Sequence, residues 1–260
     1  MNINDFFNEN EQPLDRLLEG GGFCGIFRRV ACIGDSLASG EFEALDEHGN
    51  RTYHDMFDYS WGQYMARAAG FTAYNFSRGG MTASEYMDSF AEANGFFDKE
   101  KAAQAYIIAL GVNDLYNRGD EVGVVADCET DAKTFAGYYG RLIKKYKEIS
   151  PEAKFFFVTM PVEDRRNAPL MDKGDAHQKL LYDFAAYFGN AYVIDLRRYA
   201  PVYDAAFREK FFLHGHMSPA GYVFTARLFL TYIDWIIRHN MEDFKHVGFI
   251  GTGIKDFPEK

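Results

Sequence analysis

The sequence has little cysteine and no long hydrophobic run, and each absence excludes a class of protein. Three cysteines without C-x-x-C spacing are too few for a disulfide framework or a cysteine-rich metal cluster: Cys24, Cys32 and Cys128. No apolar run reaches the length of a transmembrane helix. The N-terminal stretch is polar and acidic and lacks the basic and apolar regions of a secretory signal. Together with thiols that we expect to be reduced, these features predict a cytoplasmic protein without membrane association.

Positive charge is also scarce. The chain has 28 Lys and Arg against 38 Asp and Glu, which gives a formal net charge of −10 spread along its length. An acidic surface repels phosphate backbones, so we expect no nucleic-acid partner. The apolar share is 47%, and 17% of the residues are aromatic, enough for a substantial core. We therefore expect a globular protein that binds a small molecule. Composition does not predict its oligomeric state.

Apolar runs alternate with amphipathic helical patterns along most of the chain. Five segments read as strands, among them continuously apolar ones of the kind that is covered on both faces: 28–34, 72–77, 104–111, 153–161 and 191–196. The pattern predicts an α/β protein of three layers, α/β/α, around a central five-stranded parallel sheet. We expect one domain at residues 28–260. It is preceded by an extension at 1–27, with an amphipathic helix in residues 1–19 and a glycine-rich break after it.

Polar residues follow the predicted strands at the ends where α/β proteins bind ligands. The first strand runs directly into Gly-Asp-Ser, ending at Ser36. Later strands are followed by "NFSRGG" (75–80) and "GVND" (111–114), and "HGHMSPAGY" (214–222) precedes the last helix. Nucleophilic ester hydrolysis needs a hydroxyl, a base and donors for an oxyanion, and these segments supply all three. Each segment alone is also typical of an ordinary turn or helix cap.

The order of these segments resembles the four blocks of the GDSL, or SGNH, hydrolase superfamily. The resemblance implies a flavodoxin-like SGNH fold, with Ser36 as nucleophile and His216 as base. It implies an oxyanion hole formed by Ser36, Gly80 and Asn113, with Gly79 as the alternative to Gly80. The activity it implies is that of a serine esterase or acylhydrolase that needs no cofactor and no metal.

The sequence departs from the family at one catalytic position. Most members have an Asp three residues before the His, and this chain has Leu213 there. A backbone carbonyl is the alternative that we favour for orienting His216, which would leave a Ser–His dyad. A carboxylate elsewhere is the second alternative: Glu163, Asp164 or Glu209. In the third, the enzyme is weak or inactive.

Two other functions compete with ester hydrolysis. A binding module could retain the cleft without turnover. A metal-dependent phosphoesterase would need further His and Asp ligands that the strand ends do not supply. Among esters, an acetylated carbohydrate would suit an open cleft with aromatic residues from 53–61 or 114–117. The acyl chain length stays open.

Overall fold

A parallel sheet of five strands forms the centre of the protein. The computed structural model describes residues 7, 8 and 10–255. The sheet contains β1 (Arg29–Gly34), β4 (Thr72–Ser77), β5 (Ala105–Ala109), β6 (Lys154–Val158) and β7 (Ala191–Ile194). Their order is β4-β1-β5-β6-β7, with every pairing parallel. This is the flavodoxin-like order, which confirms the predicted fold class.

Helices cover both faces of the sheet. The longer ones are α2 (Trp61–Ala69), α5 (Phe135–Ile149), α6 (Ala168–Phe188), α8 (Ala205–Phe211) and α9 (Pro219–His239). The short ones are α1 (Ser36–Ser39), α3 (Ala83–Glu85), α4 (Ala91–Ala93), α7 (Leu196–Tyr199) and α10 (Met241–Phe244), and a π-helical segment, Tyr86–Phe90, joins α3 to α4. Side chains of β1 alternate between two apolar clusters. Val30 and Cys32 pack with α2 and α9, whereas Ala31 and Ile33 pack with α5 and α6.

Capping residues mark the ends of three helices, α2, α3 and α9. The Thr82 side chain accepts a hydrogen bond from the Glu85 N–H at 3.2 Å. The Ser218 side chain caps α9 through the Gly221 N–H at 3.2 Å, and Pro219 occupies the first turn. Gly70 ends α2 with φ of 83°, a left-handed conformation that glycine adopts without strain. The two side-chain caps fix where α3 and α9 begin and hence where the loops before them lie, and Gly70 fixes where α2 ends.

Two small hairpins lie outside the predicted pattern. The first consists of β2 (Glu41–Leu45) and β3 (Arg51–Asp55), which pair antiparallel directly after α1. The second consists of β8 (Phe212–Leu213) and β9 (His216–Met217). Both were missed because their strands are short or mix polar with apolar residues, without a long apolar run. Both hairpins lie at the carboxyl end of the sheet, beside the candidate site.

The N-terminal segment lies along α9 rather than over the cleft. The described part of the predicted helix in 1–19 is not helical, and this expectation is wrong there; residues 1–6 and 9 lie outside the described residues. Pro13 and the polar composition disfavour a helix, and the chain forms turns before a 3-10 helix at Gly22–Ile26. The Trp235 Nε1–H donates to the Glu11 carbonyl at 2.9 Å. In the described part of the chain, no helix is long and apolar enough to span a bilayer.

Candidate active site

The carboxyl ends of β1 and β5 open into a cleft of about 500 Å³. Ser36, Gly80, Asn113 and His216 all line this cleft, although more than a hundred residues separate some of them in the sequence. The cleft lies between β1 and β5, where the order of the strands reverses direction. Such a reversal opens a crevice above the sheet, which explains why ligands bind there in folds of this type.

Ser36 begins the short helix α1. Asp35 precedes it and accepts a hydrogen bond from the Leu37 N–H at 3.1 Å, which fixes the turn. Burial raises the pKa of Asp35 to about 6, while the Leu37 N–H and His216 oppose that rise. The carboxyl group of Asp35 therefore braces the loop that contains Ser36, a residue that lines the cleft.

Two neighbouring loops offer donors for an oxyanion. The Gly79 N–H donates to Asp55 at 3.4 Å, which leaves Gly80 as the stronger candidate of the two glycines. Gly80 has φ of 72°, and a Cβ there would meet open space, so the backbone is accessible to a ligand. The Asn113 amide donates to the Met81 carbonyl at 3.2 Å, and its oxygen accepts from Asn117 at 2.7 Å. One amide hydrogen of Asn113 therefore remains available to a ligand.

Asp114 links the loop after β4, which contains Gly80, to the loop after β5, which contains Asn113. Its side chain accepts a hydrogen bond from the Ala83 N–H at 2.8 Å, and its second oxygen is buried without a hydrogen-bond partner among the described residues. Burial raises the pKa of Asp114 to about 7, against the lowering effect of the Ala83 N–H. Asp114 thus ties the loop after β5 to the start of α3 and is not among the residues that line the cleft.

His216 lies between two glutamates of the first hairpin. Its Nε2 lies 2.9 Å from Glu41 Oε1, and its Nδ1 lies 3.5 Å from Glu43 Oε2. The second distance is that of an ion pair and is too long for a well-formed hydrogen bond. Burial lowers the pKa of His216, but the hydrogen bond and charge of Glu41, and then the nearby carboxylate of Glu43, outweigh burial and raise it. Two flanking carboxylates therefore favour the imidazolium form.

Glu43 is held in place by three groups. Its side chain is 3% exposed, accepts a hydrogen bond from the Gly215 N–H at 2.7 Å and pairs with Arg51 at 3.2 Å. Burial raises the pKa of Glu43, but Gly215, Arg51 and His216 outweigh it, and the net shift is downward. Glu43 is therefore an ionised carboxylate beside Nδ1 of His216.

These contacts correct the expectation that a backbone carbonyl orients His216. The side chain that approaches Nδ1 is Glu43, a residue that the sequence did not single out. Of the expected alternatives, Glu163 is engaged by two arginines, while Asp164 and Glu209 are exposed. Leu213 pairs with His216 across the second hairpin and is 45% exposed, so its side chain takes no part.

A sequence signal for the two glutamates did exist. In "EFEAL" they stand two residues apart, which places both on one face of a strand, and they follow Ser36 by only a few residues. Charged side chains on the inner face of a strand are unusual without a partner. Of the predicted aromatic segments, 53–61 contributes Tyr53, whose ring centroid lies 5.7 Å from that of His216. In 114–117, Asn117 lines the cleft.

The described residues contain no group of three or more His, Cys, Asp and Glu arranged to hold a metal ion. A second, apolar cavity of about 70 Å³ adjoins the cleft and shares Asp35, Leu37 and Val112 with it. The cleft therefore brings together a serine, an imidazole, a buried carboxylate and the candidate donors Gly80 and Asn113 beside a small apolar space.

Solved structures with the same fold include carbohydrate esterases. A family two carbohydrate esterase from Clostridium thermocellum, in complex with cellohexaose, has 16% identity and a TM-score of 0.57. The alignment covers 83% of this chain and 65% of that one. A family 3 carbohydrate esterase from the same organism has 14% identity and a TM-score of 0.51, over 82% and 98%. A protein described as lipolytic and of the G-D-S-L family, from Desulfitobacterium hafniense, has 16% identity and a TM-score of 0.53, over 78% and 98%.

Sequence comparison gives the family directly. No curated protein matches this chain. The model of the GDSL-like lipase/acylhydrolase family matches residues 32–224, which span most of the chain and all four motif segments. The chain therefore belongs to the GDSL-like lipase/acylhydrolase family, a family of esterases.

Proposed function

We propose that the protein hydrolyses carboxylic esters through a covalent intermediate on Ser36, with His216 as the general base. The observation that carries this proposal is the cleft itself. One cavity is lined by Ser36, His216, Gly80 and Asn113, the four residues to which the scheme assigns the nucleophile, the base and the oxyanion donors. A buried, ionised glutamate also lies beside the imidazole nitrogen that faces away from the reaction. This set meets the requirements of nucleophilic acyl transfer.

The reaction takes place in two halves. Ser36 Oγ attacks the ester carbonyl carbon while its proton passes to Nε2 of His216. The oxyanion accepts hydrogen bonds from the N–H groups of Ser36 and Gly80 and from the Asn113 amide. Collapse breaks the carbon–oxygen bond, and the leaving alcohol takes the proton from His216. Water then attacks the acyl-enzyme with His216 again as base, which releases the acid and regenerates Ser36.

Glu43 acts in this scheme as a positioning residue. An Nδ1–H that points at a carboxylate fixes the tautomer in which Nε2 carries the lone pair. The same carboxylate stabilises the imidazolium formed after proton transfer. Shortening the distance from Nδ1 to Glu43 by a few tenths of an ångström would give a hydrogen bond of ordinary length.

Glu41 opposes the first step in the conformation described. Its carboxylate lies at Nε2, the nitrogen that must accept the proton of Ser36. A Cβ at Gly79 would collide with the Glu41 side chain, so this carboxylate also lies against the loop of the oxyanion donors. Substrate binding must therefore displace the Glu41 side chain from Nε2 before catalysis.

The substrate that suits this site best is an acetyl or other short acyl ester of a carbohydrate. The apolar cavity beside Leu37 is small, with a volume of about 70 Å³, which suits a short acyl chain. Tyr53, half-exposed at the cleft, offers a ring face of the kind on which sugars stack. The structural neighbours named as carbohydrate esterases support the same class.

The test is hydrolysis of nitrophenyl acetate by the wild type and by Ser36→Ala and His216→Gln. We expect each variant to lose at least about 10³-fold in kcat while its circular dichroism spectrum is unchanged. A wild-type rate no higher than that of Ser36→Ala would contradict the proposal and favour a binding module.

A further inference from the structure

Three arginines lie together at one end of the cleft, in a protein whose net charge is strongly negative. Arg165 and Arg166 follow β6, and Arg208 lies on α8; all three line the cavity that contains Ser36. We call them the arginine end of the cleft. The catalytic scheme uses none of them, because its oxyanion donors follow β1, β4 and β5. Their presence in the cavity therefore calls for another role.

Arg166 is held in a fixed orientation. Its guanidinium group pairs with Glu163 at 3.0 Å and lies over the ring of Tyr116, 4.7 Å from the centroid. The side chain is only 17% exposed, and its Nε atom is buried without a hydrogen-bond partner among the described residues. A fixed guanidinium loses little conformational entropy when it binds a ligand.

One carboxylate serves two of the three arginines. Glu163 pairs with Arg165 at 2.7 Å as well as with Arg166. Arg208 lies over the ring of Phe212 at 4.3 Å, and its NH2 group donates to the His214 carbonyl at 3.4 Å. Within the described part of the chain, Arg208 has no carboxylate at ion-pair distance. The arginine end therefore has guanidinium donors that its own carboxylates do not saturate.

Like charges also lie close together there. Burial lowers the pKa of Arg208, and so do the charges of Arg165 and Arg166, while Glu163 and Asp164 oppose the shift. Grouping cations in a partly buried cleft costs free energy unless an anion shares the site. A bound oxyanion would relieve that cost and accept hydrogen bonds from the planar guanidinium groups.

We propose that the arginine end binds an anionic substituent of the substrate, so that the enzyme prefers acyl esters of sugars that carry a carboxylate or phosphate. This inference rests on the proposed function and names the substrate class of the same site. The cleft of about 500 Å³ has room for an ester at Ser36 and a charged group on the same small molecule.

The experiment compares matched esters that differ in charge. The probes are acetylated methyl glucoside, acetylated glucuronate, the methyl ester of that glucuronate, and acetylated glucose 6-phosphate. For the wild type at low salt, we expect kcat/KM to be at least about tenfold higher for a charged ester than for the neutral ones. Salt screens such contacts, so we expect the preference to shrink as ionic strength rises. The glucuronate and phosphate probes distinguish the two sources of charge.

Substitutions of single arginines test whether the preference for charged esters comes from the arginine end. Arg208→Gln and Arg165→Gln should each lose most of the preference while hydrolysis of the neutral esters changes by no more than about twofold. The matched control is Lys210→Gln, which removes a positive charge from the same helix α8 but at an exposed residue outside the cleft. That variant should keep the full preference.

The outcomes separate this inference from the proposed function. Equal hydrolysis of neutral and charged esters by the wild type would overturn the inference and leave the esterase intact. A preference that survives in Arg208→Gln and Arg165→Gln would also overturn it. If no probe is hydrolysed faster by the wild type than by Ser36→Ala, the proposed function fails and the inference fails with it.

Discussion

Replacing Glu43 by Gln removes the carboxylate beside Nδ1 of His216 with little change of shape. Gln can still accept the hydrogen bond from the Gly215 N–H, so the second hairpin keeps its support. The partner lost is Arg51, which is 69% exposed, and such exposed pairs contribute about 1 kcal/mol or less to stability. Glu43→Gln should therefore change mainly the orientation and the pKa of the His216 imidazole, with little effect on the stability of the protein.

The expected loss of kcat follows from the proposed role of Glu43 and from its distance to Nδ1. Losing the acid of a Ser-His-Asp triad lowers kcat by up to about 10⁴-fold, mainly because the wrong tautomer is populated. Here the separation is 3.5 Å, longer than in a strong hydrogen bond, so we expect Glu43→Gln to lower kcat by about 10²–10³-fold. Losing a negative charge beside His216 should also lower the pKa of the imidazole.

The assay is the dependence of kcat on pH with nitrophenyl acetate. We expect KM to change by less than about threefold, and the acid limb of the profile to move to lower pH. Arg51→Gln is the control, since it removes the ion pair and keeps the acid, and its kcat should stay within about threefold of the wild type. An unchanged kcat in Glu43→Gln, or an equal loss in Arg51→Gln, would refute the reasoning.

Three further predictions follow from the same contacts. Glu41→Gln removes the charge at Nε2 and lowers the raised pKa of His216. Because the neutral imidazole is then available as a base at lower pH, kcat/KM at pH 6 should exceed that of the wild type, and a pH profile unchanged from the wild type would contradict this. Rates on nitrophenyl esters should fall about tenfold or more from acetyl to octanoyl because the apolar cavity is small, and a steep rise would contradict this. Asp114 has a pKa raised from 3.8 to about 7, so the folded state binds its proton more tightly and stability is lost as pH rises from about 4 to about 7. In Asp114→Asn, urea unfolding at pH 5 and pH 8 should therefore differ by roughly 1–4 kcal/mol less than in the wild type, and an equal difference would exclude this role.

The central sheet could be predicted because its inner strands β1, β5 and β6 are buried on both faces. Strands such as "YIIA" and "FFFV" are continuously apolar, and only a sheet covered by helices on both sides accommodates them. The ends of β1 and β5 then determine where Ser36 and Asn113 lie. The topology brings those loops to one edge, so motif order alone predicts which residues share the cleft.

The carboxylate beside Nδ1 of His216 could not be predicted in the same way. Glu43 reaches Nδ1 only because a five-residue strand folds back over the cleft and pairs with β3. That pairing depends on a polar hairpin whose sequence has no strong strand signal. The family's motif has an Asp three residues before the His, so the candidates were Leu213's neighbours in sequence and the carboxylates after β6. The residue that lies beside Nδ1 is instead Glu43, which is far from His216 in the sequence.

Active-site labelling tests the central claim most directly. A fluorophosphonate reacts with a serine only when a nearby base activates its hydroxyl and an oxyanion hole accepts the phosphonyl oxygen. Mass spectrometry of the labelled, digested protein should locate one stoichiometric adduct on the peptide that contains Ser36, and His216→Gln should label at least about 10²-fold more slowly. An adduct on another residue, or equal labelling of Ser36 in His216→Gln, would contradict the account.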